Sequence, residues 1–445
     1  MIVAKFGGSS CANSLQFKKV KQIVEADSRR RVVVVSAPGK DGDKSFKITD
    51  TLLLCYQLAR EQLDTGEIFE EIADRFREIR NGLGLKLDLE SRLEEIQDRL
   101  SSGASQDYVA SRGEYLNALL MADYLGFHFV DASELIRFDD QGKYDQAATY
   151  QLLEAFWAQL EDQATGIVVP GFYGADGDGR IVTFPRGGSD ITGAILAAGL
   201  DASLYENWTD VTGYLVADPK IIQGPETIDC LSYNELRELS YSDSQVIQAD
   251  AIAATREAGI PIQIKNTNSP QNPGTVIQIE KAPSGRLVTG IAGQKDFTVI
   301  NLKKYDKNQD DGFLRKICTV FEAHKVTIHH MPTSLDTISV IFRIDDNNEL
   351  KQILEQLQLY CKPDQSSCET GMALIAVVGE QMAFQPGLAG KVFGALGDQG
   401  VNVRMITQGS SEYNIVIGVE NRQYRQAVFA LHDCFFGQEE NNGRA

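Results

Sequence analysis

Short apolar runs alternate with amphipathic stretches over the first two-thirds of the chain. The β-branched runs IVAKF (2–6) and RVVVVSA (31–37) each end in turn residues, and a segment with helical spacing, 14–28, lies between them. A strand, a helix and a second strand in that order predict a unit feeding a parallel sheet, hence an α/β class. Segment 50–105 differs: it is long, charged and helical in period, with Ile68, Ile72, Phe76 and Ile79 at apolar positions. It reads as a structural helical excursion. Strand signals return at FHFVDA (127–132), GIVVPGF (166–172), IVTF (181–184) and ASLYENW (202–208). ADGDGR (175–180) lacks the remaining ligands and closing glutamate of a calcium loop, so a hairpin turn is expected there.

The pattern changes after the polar stretch IKNTNSPQNPGT (264–275). GFLRKICTVFEAHKVTI (312–328) matches GLAGKVFGALGDQGVNV (387–403) at an offset of 75 residues, and each copy is preceded by a strand, FTVINL (297–302) or MALIAVV (372–378). A helix, two strands and a second helix follow in each, so a small βαββαβ module occurs twice. The second copy ends after its last helix, 421–434, and lacks a fourth strand; RLVTGIA (286–292) is free to supply it. The expected domains are therefore 1–280, with 50–105 as the excursion; a first module, 294–370, inserted; and a second built from 284–293 and 371–440.

Charge narrows the partners. Forty-three basic against sixty-two acidic residues give a net charge of −19, which disfavours a nucleic-acid partner. Seven scattered cysteines without Cys-x-x-Cys spacing, and five histidines without a zinc-protease pattern, predict no metal centre and a reducing compartment. No apolar stretch approaches a membrane span and MIVAKF is not followed by a signal-peptide core, so a soluble, cytoplasmic protein is expected.

Three glycine-containing stretches stand at the ends of predicted strands: KFGGSS (5–10), SAPG (36–39) and RGGSD (186–190). Glycines let backbone N–H groups approach phosphate oxygens, and ligands of open parallel sheets bind where strands end. Each stretch alone is a tight turn; together, with Lys5 and Arg186 fixed in them, they point to phosphate handling. Lys5 is expected to leave the sheet edge towards a transferring phosphate. Arg186 has the planar fork that suits a carboxylate, and Asp190 is placed to orient the lysine or a metal. SRGE (111–114) adds Glu114, read as standing at a helix start. ENWTDVTGYLVADPK (206–220) adds Asp210, Asp218 and Lys220 in a loop-rich stretch suited to a nucleotide.

KFGGSS, SRGE, RGGSD, WTDVTGYLVADPK and IKNTNSPQNPGT, in this order and followed by paired βαββαβ modules, resemble the monofunctional aspartate kinase (aspartokinase) family across essentially the whole chain. The resemblance implies the amino-acid-kinase fold, a three-layer αβα sandwich around a mainly parallel sheet, followed by two ACT modules. It implies MgATP-dependent phosphorylation of the L-aspartate side-chain carboxylate to 4-phospho-L-aspartate, the first step towards lysine, threonine and methionine. By the same resemblance Lys5 stabilises the phosphoryl group in flight, with Gly7, Gly8 and Ser9 along its path and Gly187 and Gly188 in the facing turn. Arg186 takes the α-carboxylate of aspartate and Glu114 its ammonium group; Ser36 and Thr49 stand near the substrate. Asp190 organises the site, and Thr209, Asp210 and Lys220 match the nucleotide loop.

The chain departs from the family pattern at Leu215, where many relatives have tyrosine, and at Gln245 and Gln248, where relatives commonly carry a lysine and a histidine. Lys220 or Lys265 is a candidate replacement for that lysine. For an amino-acid effector, lysine or threonine, the matching residues are Phe313, Leu314, Ile328, His329, Thr333 and Ser334; relatives often have an acidic residue where His329 stands. A homodimer through the ACT modules, or a larger assembly, is also implied. The rival readings are a kinase of another small amino acid, and a catalytically impaired amino-acid-binding regulator.

Overall fold

The computed structural model describes residues 1–42, 46–160, 165–185, 187–239, 247, 252–281, 285–305 and 312–437. Two units emerge: Met1–Tyr214, Thr227–Tyr233 and Gln245–Lys281 form one; Leu215–Glu226, Asn234–Ser244 and Ala282–Ala445 form the other.

The first unit contains β1 (Ile2–Phe6), α1 (Ser14–Glu25), β2 (Arg30–Val35), α2 (Ile48–Arg60), α3 (Gly66–Leu83), α4 (Glu90–Ser101) and α5 (Gln106–Leu125). These are followed by β3 (His128–Phe129), α6 (Ala132–Leu135), α7 (Gln146–Gln159), β4 (Ile167–Pro170), β5 (Tyr173–Ala175), β6 (Ile181–Thr183), α8 (Gly188–Gly199) and β7 (Leu204–Thr209). Beyond them come β8 (Cys230–Ser232), α9 (Tyr233–Leu239, whose residues from Asn234 on count with the second unit), α10 (Ala253–Ala258), β9 (Ile262–Asn266) and β10 (Thr275–Gln278).

Eight strands form one sheet in the order β3-β4-β2-β1-β7-β9-β10-β8, parallel except where β10 runs against β9. Because side chains alternate across a strand, Ala4 and Phe6 face one side and Val3 and Lys5 the other. Ala4, Phe6, Val33 and Val35 join one core with Phe17, Val20, Leu52, Ile72, Phe76, Ile96 and Leu116 from α1 to α5. The excursion is thus three helices, α2 to α4, sharing the core of this layer. On the opposite side α8 packs on β1 and β7, and α7 and α10 flank α8. ADGDGR turns the antiparallel β5–β6 hairpin, its Asp176 side chain accepting from the N–H groups of Asp178 and Arg180.

Two expectations need correction. β1 is central in the sheet, so Lys5 leaves its interior, at the C-terminal end of the strand, and not an edge. Glu114 lies mid-helix in α5, whose start is capped by Ser105 accepting from the Tyr108 N–H. Gly113 beside it lets the helix press onto the strand end after β2: a Cβ there would fall 2.8 Å from the Ala37 Cβ.

The second unit contains β11 (Gly290–Lys303), α11 (Phe313–Ala323), β12 (Ile328–His330), β13 (Thr337–Arg343), α12 (Asn347–Cys361), β14 (Gln365–Val378), α13 (Leu388–Asp398), β15 (Met405–Thr407), β16 (Asn414–Glu420) and α14 (Tyr424–Phe436). Its antiparallel sheet has the order β12-β13-β11-β14-β16-β15. β11 serves both halves: Gly290–Gln294 pair with Leu374–Val378, while Phe297–Lys303 pair with β13 and with the first part of β14. Two apolar clusters back this sheet, one from α11 and α12 around Phe321 and Ile353, the other from α13 and α14 around Val392 and Leu431. Ala217, from the stretch read as a nucleotide loop, and Ile222 just after it are buried in the second cluster, and the Ile291 N–H donates to the Val216 carbonyl at 2.7 Å. No helix among the described residues is long and apolar enough to cross a membrane.

Candidate active site

At the C-terminal end of β1, Lys5 Nζ lies 2.5 Å from Asp190 Oδ1, and both side chains are largely withdrawn from solvent. Asp190 comes from the first turn of α8, entered through Gly187 at φ +81°. At a helix N-terminus the macrodipole favours a carboxylate, and here that carboxylate also holds the lysine. Asn207, beside Lys5 in the β1–β7 register, donates from Nδ2 to Asp190 Oδ1 at 2.9 Å.

Two glycine turns meet just beyond Lys5. The Gly39 N–H donates to the Gly8 carbonyl at 2.9 Å, and a Cβ on Gly39 would fall 2.7 Å from the Gly8 carbonyl carbon. Only residues without side chains permit that approach. Arg75 of α3 is buried and reinforces it, donating from Nη2 to the Gly39 carbonyl at 3.0 Å, with Asp41 3.5 Å from Nη1. The excursion therefore supports the site.

Glu114 and Asn117, one helical turn apart on α5, face this strand end. Asn117 Nδ2 donates to the Ser36 carbonyl at 2.6 Å, and the Ala37 N–H donates to the Glu114 carboxyl. Glu114 Oε2 and Asn117 Oδ1 are buried with no hydrogen-bond partner among the described residues. Burial pushes the Glu114 carboxyl up to about 8, against the lowering effect of the Ala37 N–H. Two waiting acceptors fit a cationic group such as an ammonium. Burial also drives the Cys11 thiol up to about 12, so it is no nucleophile despite the proximity of Lys5.

The ends of β1, β7 and β9 are stitched together at this end of the sheet. The Gly7 N–H donates to the Trp208 carbonyl at 2.9 Å, Ser10 Oγ and Thr267 Oγ1 share a 2.7 Å hydrogen bond, and Asn266 Nδ2 donates to the Asp210 carbonyl at 3.1 Å. Thr209 and Asp210 are thus placed at the same sheet end as Lys5, as are Gly7, Gly8, Ser9 and Gly188. Thr49 lies in the first turn of α2. Lys220 belongs to the second unit and is exposed. Lys265 pairs in register with Trp208, which puts it on the opposite face of the sheet from Lys5, 5.1 Å over the indole ring. It is therefore not placed to replace a missing cation beside Lys5. Arg186, Gln245 and Gln248 lie outside the described residues.

Asn207, Asn117 and Arg75 escaped the sequence reading. A signal was present for Asn207, a polar residue inside an otherwise strand-forming run.

Among the described residues no cluster of three or more His, Cys, Asp or Glu is arranged to hold a metal. A magnesium ion carried by a triphosphate needs none, because phosphate oxygens and waters fill most of its shell. A cavity of about 510 Å³ runs along α1, lined by Lys19, Arg30, Trp208 and Asn268. It includes none of the expected site residues.

In the second unit the residues expected to meet an effector fall unevenly. Phe313 is a core side chain at the start of α11, so only its backbone is available to a ligand, whereas Leu314 is half exposed. His329 of β12 meets Phe297 of β11 edge-on, and burial lowers its pKa below the usual histidine value. Thr333 and Ser334 are exposed in the β12–β13 turn.

Residues 1–266 match the amino acid kinase family and residues 375–435 an ACT domain family. Aspartokinase 3 of Bacillus subtilis (strain 168) is 38% identical over 456 residues, covering 98% of this chain and 99% of that protein. The crystal structure of Clostridium acetobutylicum aspartate kinase matches with a TM-score of 0.93 at 44% identity, over 98% of this chain and 100% of that one. Escherichia coli aspartokinase III, at 26% identity, matches over 98% of this chain in two complexes. With aspartate and ADP the TM-score is 0.76 and 100% of that chain is covered; with lysine and aspartate they are 0.79 and 99%.

Proposed function

The chain belongs to the amino acid kinase family and, within it, to the aspartokinases, and on that premise we propose how its residues divide the work of phosphorylating aspartate. The aspartate side-chain carboxylate attacks the γ-phosphorus of ATP in line. A new P–O bond forms as the bond to the β-phosphate oxygen breaks, giving 4-phospho-L-aspartate and ADP. Such a transfer needs charge neutralisation and alignment more than covalent help.

Lys5 meets the phosphoryl group between donor and acceptor, and Asp190 aims Lys5. Gly7, Gly8, Ser9, Gly187 and Gly188 line the path of the phosphate oxygens. Thr209 and Asp210 hold the nucleotide, with Mg2+ arriving as part of MgATP. Glu114 takes the substrate ammonium, Arg186 its α-carboxylate, and Ser36 and Thr49 flank it. The observation that carries this reading is the juxtaposition, at one sheet end, of a buried Lys5–Asp190 pair with two acceptors, Glu114 Oε2 and Asn117 Oδ1, that have no partner among the described residues.

The test is aspartate-dependent ADP formation by the full chain and by Lys5→Ala. The substitution is expected to lower kcat by roughly 10²–10³, as loss of one transition-state donor does elsewhere. Activity within a few fold of the parent would refute the role of Lys5. Glutamate and acetylglutamate in the same assay test the rival acceptors.

The second unit is read as paired ACT modules, the first inserted in the second through β11, that pair in a homodimer and bind lysine or threonine near Leu314, Ile328, His329, Thr333 and Ser334. The lysine-bound E. coli relative supports the choice of lysine as an effector. Rates measured with each amino acid, and sedimentation of the protein, test the two parts.

A further inference from the structure

Asn207 is 1% exposed in a central parallel strand. Asparagine is depleted in strands, because its amide must find partners there and its shape packs poorly. It stands beside Lys5 in register, on the face covered by α8. Its Nδ2 donates to Asp190 Oδ1 at 2.9 Å, the oxygen that Lys5 also engages, and its Oδ1 lies 3.5 Å from Lys5 Nζ. One amide therefore touches both members of the buried ion pair, firmly on the acid side and loosely on the lysine side.

That asymmetry matters for a lysine that must change partners. A buried contact pair is held strongly, and freeing one member leaves the other poorly compensated. Tyr205, the next residue on the same face, donates to the Asp190 backbone carbonyl at 3.2 Å and so does not relieve the carboxylate.

We propose that Asn207 is a positioning residue for phosphoryl transfer: it keeps the Asp190 carboxylate hydrogen-bonded while Lys5 turns towards the phosphoryl group. Its carbonyl oxygen gives Lys5 a weaker second acceptor, so the lysine is aimed without being locked. The proposal rests on the roles given above to Lys5 and Asp190.

The test is steady-state kinetics of the full chain with Asn207→Leu and Asn207→Asp, alongside Lys5→Ala. Leucine removes the donor to Asp190 and the acceptor for Lys5. Aspartate keeps an acceptor for Lys5 but adds a second carboxylate that grips it. Expected is a kcat loss of about 10- to 100-fold for N207L, with KM for aspartate and ATP within about threefold of the parent, since the interaction matters in the transition state and not in binding. N207D is expected to be slower than N207L although it is closer in shape, an order that a packing role would reverse. Thermal unfolding identifies any variant that does not fold; N207T, which a strand accommodates, then replaces it. If N207L keeps kcat within twofold while Lys5→Ala is inactive, or if its loss lies wholly in KM, the proposal is overturned. If Lys5→Ala itself remains active, the reading of the site fails first, and separately.

Discussion

Glu114 offers the sharpest solution test, because its protonation should change when substrate binds. In the free protein burial raises this carboxyl from an ordinary 4.5 to about 8. At pH 7 about nine-tenths of the molecules then carry a proton there. An ammonium at the empty Oε2 returns the group to the normal carboxylate range, since an opposite charge favours ionisation. Aspartate binding at pH 7 should therefore release ~0.9 proton, falling to ~0.2 at pH 8.5. By the same linkage, aspartate affinity should rise about 50-fold from pH 6 to pH 8 and level off above. The folded-state pKa lies above the unfolded value, so this group's contribution to stability is full below about pH 4.5 and is lost as pH rises towards 8. Titration calorimetry of aspartate into the ADP-bound protein, in buffers of different ionisation enthalpy, counts the protons directly. Glu114→Gln should abolish the buffer dependence. A heat at pH 7 that is the same in every buffer, or a dependence that survives Glu114→Gln, refutes the assignment.

Three further expectations test the scaffold. Gly39→Ala would set a methyl 2.7 Å from the Gly8 carbonyl carbon and 2.8 Å from the Ser9 nitrogen, so kcat should fall about 100-fold while far-UV circular dichroism stays unchanged. Arg30 makes two hydrogen bonds to Glu206, at 2.7 and 2.9 Å, with both side chains nearly buried. Glu206→Leu strands the guanidinium and should cost about 3–5 kcal/mol in denaturant unfolding, more than Arg30→Met with Glu206→Leu together. Ending the chain at residue 370 removes Leu374–Val378, the partners of Gly290–Gln294, and should leave an insoluble product; a monodisperse, cooperatively melting fragment would contradict this.

The β-branched runs were legible as strands because burial on a central sheet asks for that composition, and the repeated module showed itself through its spacing. The position of β1 was not legible: the order of parallel strands depends on crossovers that no single run records. Glu114 was misplaced at a helix start, whereas it lies mid-helix and Gly113 beside it serves close packing of α5 on Ala37. The glycine turns and Lys5 were visible as types and spacings. Asn207 left only the trace of a polar residue in a strand-forming run, and Asn117 and Arg75 left none, since each acts through a partner 17 to 81 residues away. Lys265 misled for the same reason, because strand parity assigns it to the other face.

The segment around Ala217 and Ile222 bears on how such a protein can be recombined. These residues, with the Val216 carbonyl that receives the Ile291 N–H, are structural members of the second unit although they precede it in the chain. Within α9 the Glu235 carboxylate likewise accepts from Thr289 Oγ1 at 2.6 Å and from the Glu380 N–H at 3.0 Å. A chimera that exchanges the C-terminal sheet at a single crossover near residue 280 would separate these residues from the core they complete. A graft that also carries 215–226 and 234–239 from the same parent keeps that core intact, so the natural cut points for exchanging the second unit number five and not one.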